Sequence, residues 1–170
     1  MSTIPAEVVS DAVKLLRGEY INDGAAPSYF QINNGLCEDF AEELLDRLRL
    51  VHGGREDLFT VCNENFQVQD ECDRDGWDTR LLISHWGIRP PEHFTWPVLN
   101  EVHFGGHVWL TCGGKHFDAE CPDGVDSFFE LPLFRRCLVR HMRTRGIDCP
   151  DVETDDVVPA PRCPVIRKAA

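Results

Sequence analysis

The chain is short of positive charge. Its 170 residues carry 17 lysines and arginines against 29 aspartates and glutamates, a formal net charge of −12 at pH 7. Sequence-independent nucleic-acid binding needs a positive field around the phosphates, so no nucleic-acid partner is expected. An anionic membrane surface is disfavoured for the same reason. No stretch approaches the roughly 18 apolar residues of a membrane-spanning helix. The opening residues, Met1-Ser2-Thr3-Ile4-Pro5-Ala6-Glu7, lack the basic start and apolar run of a secretory signal. The expected location is therefore cytoplasmic, where the eight cysteines (37, 62, 72, 112, 121, 137, 149 and 163) would be mostly reduced. A disulfide framework is disfavoured further because stapled scaffolds are usually smaller. No Cys-x2-Cys pair and no internal repeat is present.

What is there is ordinary globular material, 42% hydrophobic and 27% charged, long enough to bury one core. Residues 1–147 read as a single domain and 148–170 as an extended tail rich in Pro and Asp. Helical spacing of Val8, Val9, Ala12, Leu15 and Leu16 predicts a short helix over Ala6 to Leu16, with Pro5 at its start. Gly24 to Ser28 is a loop, and Asn33-Asn34-Gly35 is a turn signal. From Cys37, the residues Phe40, Ala41, Leu44, Leu45 and Leu48 form one apolar stripe. Glu38, Asp39, Glu42, Glu43, Asp46 and Arg47 cover the other face. Acids crowd the first half and arginines the second, as the helix dipole prefers. His52-Gly53-Gly54 ends this helix.

Leu58 to Cys62 reads as a strand. Residues 63–100, with Pro90-Pro91 and three tryptophans, read as a long insertion with short elements. A hairpin follows. Gly113-Gly114 suits a two-residue turn, which sets Cys112 opposite Lys115, Trp109 opposite Asp118 and His107 opposite Glu120. Alternation then puts His107, Trp109, Asp118 and Glu120 on one face and leaves Val108, Leu110, Phe117 and Ala119 as core. Ser127 and Glu130 have capping-box spacing, and a helix is predicted from about Leu131 to Arg145, stopping at Gly146.

One constellation carries chemistry. Cys37 sits at a helix start, where free first-turn N–H groups favour a thiolate and could hold an oxyanion. On the hairpin, His107 and Asp118 become diagonal neighbours about 7 Å apart at the backbone, within side-chain reach. An acid can then orient an imidazole that acts as base for the thiol. Glu120 is a rival acid on the same face. Gln31, six residues before Cys37, could donate to an oxyanion, with Asn33 and Asn34 as rivals. A single cysteine at a helix start is more often structural than catalytic. The histidine and acid windows reverse that balance.

The run Gly35-Leu36-Cys37-Glu38-Asp39-Phe40-Ala41, with His107-Val108-Trp109-Leu110 and Phe117-Asp118 downstream, resembles the transglutaminase-like branch of papain-fold cysteine hydrolases. It is also similar to the bacterial transglutaminase-like cysteine proteinases. The resemblance implies an α+β papain-like fold, with the Cys-bearing helix packed on an antiparallel sheet that carries the histidine and acid. It implies a Cys37-His107-Asp118 triad with Gln31 at the oxyanion, and peptidase, amidase, deamidase or acyl-transfer chemistry with no cofactor. The partner would be a protein or peptide substrate, which the acidic surface would favour being basic. The resemblance covers two short windows of the chain.

Three blander or rival readings stand beside it. In the first, the fold serves as a non-enzymatic protein-binding module or pseudoenzyme. Cys112, His116 and Cys121, with His103 and His107 nearby, could form a zinc cluster, but the spacing is compressed and His116 reads as a solvent-facing strand residue, so no metal is expected. Glu71-Cys72-Asp73-Arg74-Asp75-Gly76 mimics the start of a calcium loop, but Leu82 stands where its closing acid belongs.

Overall fold

The structure, a computed structural model, describes residues 4–54, 58–63, 79–89 and 106–149. It is a mixed α+β arrangement. Five α-helices are described: α1 (Ala6–Asn22), α2 (Tyr29–Asn33), α3 (Cys37–His52), α4 (Thr79–His85) and α5 (Pro132–Thr144). Strands β1 (Leu58–Asn63), β2 (His107–Cys112) and β3 (Lys115–Phe117) form one antiparallel sheet in the order β1-β2-β3. Among the described residues no helix is long and apolar enough to cross a membrane.

The predicted hairpin register is the one found. Leu110 pairs with Phe117, Thr111 with His116 and Cys112 with Lys115. Both turn residues have positive φ, 58° at Gly113 and 79° at Gly114, which glycine adopts without a steric penalty. β1 pairs along the whole of β2, from Leu58 opposite Cys112 to Asn63 opposite His107.

Helices α1 and α3 cover one face of this sheet. Val9, Val13 and Leu16 of α1, Ile32 of α2, and Phe40, Leu44 and Leu48 of α3 pack on Leu58, Leu110, Cys112 and Phe117. Burying each such large side chain contributes about 1.5–3 kcal/mol, which anchors the start of α3 at the sheet. The other face is also covered. Trp109 is 1% exposed and lies under Phe128, Phe129 and Phe134, with Ile83 of α4 and Leu138 and Met142 of α5 in the same cluster. Val108, expected as core, is only half-buried. Strand alternation fixes which face a side chain points to, not how completely that position is covered.

Three local boundaries differ from the sequence reading. α1 runs on to Asn22 rather than stopping at Leu16, because Tyr20 and Ile21 continue its apolar contact with the α3 side. Ser28 caps the short helix α2 by accepting from the Gln31 N–H at 3.3 Å. Ser127 caps a 3-10 turn, Phe128–Glu130, rather than the last helix itself. Leu131 precedes a proline and is extended (ψ 136°), so α5 starts afresh with Pro132 in its first turn. The insertion expected over 63–100 is described only at Asn63 and residues 79–89, and the tail only at Asp148 and Cys149.

Candidate active site

Cys37 is the first residue of α3. Its preceding residue, Leu36, makes no side-chain cap, so the first-turn amides are left for another acceptor. The backbone N–H groups of Glu38, on its own helix, and of Val108, on β2, together with the His107 ring, lie near enough to the thiol to favour its thiolate. The helix start and the strand start therefore converge on one sulfur.

His107 opens β2 and is fully buried. Its Nε2 lies 3.2 Å from Oδ2 of Asp118, whose side chain is 1% exposed. The ring stacks on Trp109 with centroids 5.9 Å apart and meets Phe134 edge-on at 6.1 Å. With Nε2 turned to Asp118, Nδ1 is the nitrogen left for the thiol. Nδ1 makes no hydrogen bond of full geometry, although thiol and ring perturb one another's ionisation. Catalytic hydrogen bonds are commonly loose before substrate arrives.

The charges at this site are set by opposing influences. At Cys37, burial is the largest single influence and disfavours the thiolate. The His107 side chain and the amides of Val108 and Glu38 together outweigh it, so the thiol lies below its ordinary value. At His107, burial again leads and disfavours charge. The bond to Asp118 and the adjacent thiol outweigh it and push the imidazole up to about 9. The other described cysteines behave differently. Burial raises Cys137 and Cys149, and burial plus the carboxylates of Asp118, Asp123, Glu130 and Glu120 pushes Cys121 up to about 12.

The expected partnership of His107 with Asp118 is present, but not by the expected route. β3 ends at Phe117, so Asp118 is not a ladder residue opposite Trp109. Instead its Oδ1 accepts the N–H groups of Glu120 at 3.0 Å and Cys121 at 2.8 Å, a local turn that an aspartate favours. That turn leaves Oδ2 facing His107. Glu120, the rival acid, is committed elsewhere. It accepts both arms of the Arg136 guanidinium, at 2.8 and 2.6 Å, and the Asn33 side-chain amide at 2.8 Å.

Gln31 lies on α2, half-buried, with no side-chain hydrogen bond among the described residues. Of its rivals, Asn33 is buried and tied to Glu120, and Asn34 is exposed at the end of α2. α2 leads directly into α3, since the Leu36 N–H donates to Ile32 O at 2.9 Å. Asn33 and Arg136 were not singled out as partners of the acid loop. An arginine on an amphipathic helix reads as a solvated face, and nothing local marks it as a bidentate partner 16 residues away.

The imagined zinc ligands do not converge, and among the described residues no three His, Cys, Asp or Glu side chains are grouped to hold a metal. Cys112 is buried in the α1–α3 core, whereas Cys121 packs against the opposite aromatic cluster. His116 is not solvent-facing as predicted: it is half-buried, and its Nδ1 accepts the Trp109 indole N–H at 2.9 Å. His103 and the calcium-like run at 71–76 lie outside the described residues. A shallow groove of about 390 Å³, lined by Ala6, Glu7, Ser10, Asp11, Lys14 and Asp123, includes none of the triad residues. Compared with protein-family profiles, curated proteins and solved structures, the chain finds no match.

Proposed function

We propose that this chain is a cysteine hydrolase or acyltransferase with the transglutaminase-like, papain-like architecture, acting on an amide or isopeptide bond of a protein or peptide. The observation that carries this reading is one cluster. A thiol at a helix start lies beside an imidazole whose far nitrogen is held 3.2 Å from a buried carboxylate. His107 accepts the Cys37 proton, and the Cys37 sulfur attacks the carbonyl carbon. The tetrahedral oxyanion receives the Cys37 backbone N–H and the Gln31 amide. The intermediate collapses to a thioester as His107 returns the proton to the departing amine. Water or an acceptor amine then releases the acyl group and restores the thiol. Asp118 holds the imidazole in the useful tautomer and balances its charge. None of these steps needs a cofactor. The −12 net charge favours a basic substrate segment and a cytoplasmic setting would keep the thiol reduced.

A p-nitrophenyl ester tests the chemistry. The expected result is a burst of about one equivalent of nitrophenolate, with an acyl mass on the Cys37 peptide that hydroxylamine removes. Gln31→Ala should slow that burst by about a hundredfold, the usual cost of one oxyanion donor. A folded protein that takes no acyl group on Cys37, or takes it equally well as His107→Ala, sinks the proposal and leaves the binding-module reading.

A further inference from the structure

The acid that does not touch His107 has a position that nothing in the triad explains. Glu120 is gripped from three directions. Its backbone N–H donates to Asp118 Oδ1 at 3.0 Å. Its carboxylate takes the paired Arg136 nitrogens of α5 at 2.8 and 2.6 Å, an ion pair whose side chains are only 10% and 15% exposed. The same carboxylate takes the Asn33 amide of α2 at 2.8 Å. Asn33 is 3% exposed and ends α2 four residues before Cys37, joined to α3 by a short turn. Glu120 thus bonds the acid through its main chain and the leader of the nucleophile through its side chain.

Near-buried ion pairs are poor stabilisers, because desolvation cancels most of the attraction. This network is also incompletely satisfied: Asn33 Oδ1 is buried with no hydrogen-bond partner, an arrangement that costs rather than adds stability. Fork geometry and a rigid amide contribute fixed distance more than binding energy. Fixed distance is what the site requires, since Cys37 at the start of α3 and Asp118 in the turn after β3 come from separate elements and each reaches His107 on its own.

We propose that Glu120, gripped by Arg136 and Asn33, is a positioning residue that sets the spacing between the Cys37 segment and the Asp118 turn. The inference rests on the reading of Cys37, His107 and Asp118 given above. Site-resolved iodoacetamide alkylation of the full chain from pH 5 to 10 tests it. Glu120→Ala should move the midpoint of the Cys37 profile up by about one unit, the scale of one lost charge-oriented contact. Glu120→Gln, which keeps an acceptor for Asn33, should recover at least half of that shift. Arg47→Ala serves as control: it removes a more exposed arginine–carboxylate network, to Glu19 and Glu43, ten residues along α3 from Cys37, and should leave the midpoint unmoved. If Glu120→Ala does not fold, Glu120→Gln and Asn33→Ala carry the test. Midpoints equal to wild type in every folded Glu120 and Asn33 variant overturn the proposal. A wild-type Cys37 with an ordinary profile fails the functional reading first. A reactive Cys37 that slows in His107→Ala yet ignores Glu120 and Asn33 fails this inference alone.

Discussion

Cys37 and Cys121 are both half-buried free thiols close to the same aspartate turn, and their acidities move in opposite directions. Burial is the first influence on each and disfavours the thiolate in both. What differs is what surrounds the sulfur. Cys37 faces two backbone amides and an imidazole. Cys121 faces Asp118, Asp123, Glu130 and Glu120, all carrying the same charge its thiolate would have. The difference teaches that burial does not make a cysteine inert or reactive. Oriented donors at a helix start and a strand start do, and four carboxylates around a loop do the reverse.

The largest expected effect is the gap between these two thiols. Taking the ordinary value of 9.0 as an upper limit for Cys37 and about 12 for Cys121, the thiolate fractions differ by about a thousandfold at neutral pH. The weaker nucleophilicity of the more acidic thiolate returns about thirtyfold of this, so Cys37 should alkylate at least about thirtyfold faster at pH 7. Equal rates at the two sites, read by peptide mass spectrometry, would break the comparison. His107→Ala sharpens it. Removing the imidazole should slow Cys37 by about three- to tenfold and leave Cys121 unchanged, since one lost charge partner shifts a pKa by about one to two units. A parallel change at both cysteines would point to general loosening instead.

The smallest effect is in stability against pH. His107 is raised on folding, so its contribution is complete below its unfolded value near 6.5 and is lost as pH rises through about 9. Cys37 is lowered, so its contribution is present above its unfolded value and is lost as pH falls through the folded one. Asp118→Asn removes the carboxylate that raises His107. Denaturant midpoints between pH 6.5 and 9 should therefore fall less steeply in Asp118→Asn than in wild type. Identical slopes would mean that His107 and Asp118 do not share charge in the folded chain.

Much of this site is legible in the sequence. The helix from Cys37 follows from an apolar stripe at 3.6-residue spacing and from Gly53, whose φ of 76° closes it. The hairpin register follows from Gly113-Gly114, the pair that tolerates positive φ at both turn positions. Parity went wrong at its far end, because strand alternation stops being a guide once Asp118 turns its carboxylate back onto the Glu120 and Cys121 amides. What covers Trp109 was not legible, since the Phe128–Phe134 layer over it comes from a segment with no local tie to β2.

The sequence by itself determined a thiol at a helix start and a histidine at the start of a hairpin strand, because both depend on spacing and backbone preferences within a few residues. Only the tertiary structure decided which acid serves His107. Asp118 and Glu120 are two positions apart and equivalent by alternation. The choice between them falls to Arg136 and Asn33, which claim Glu120 from helices distant in sequence and leave Asp118 to the imidazole.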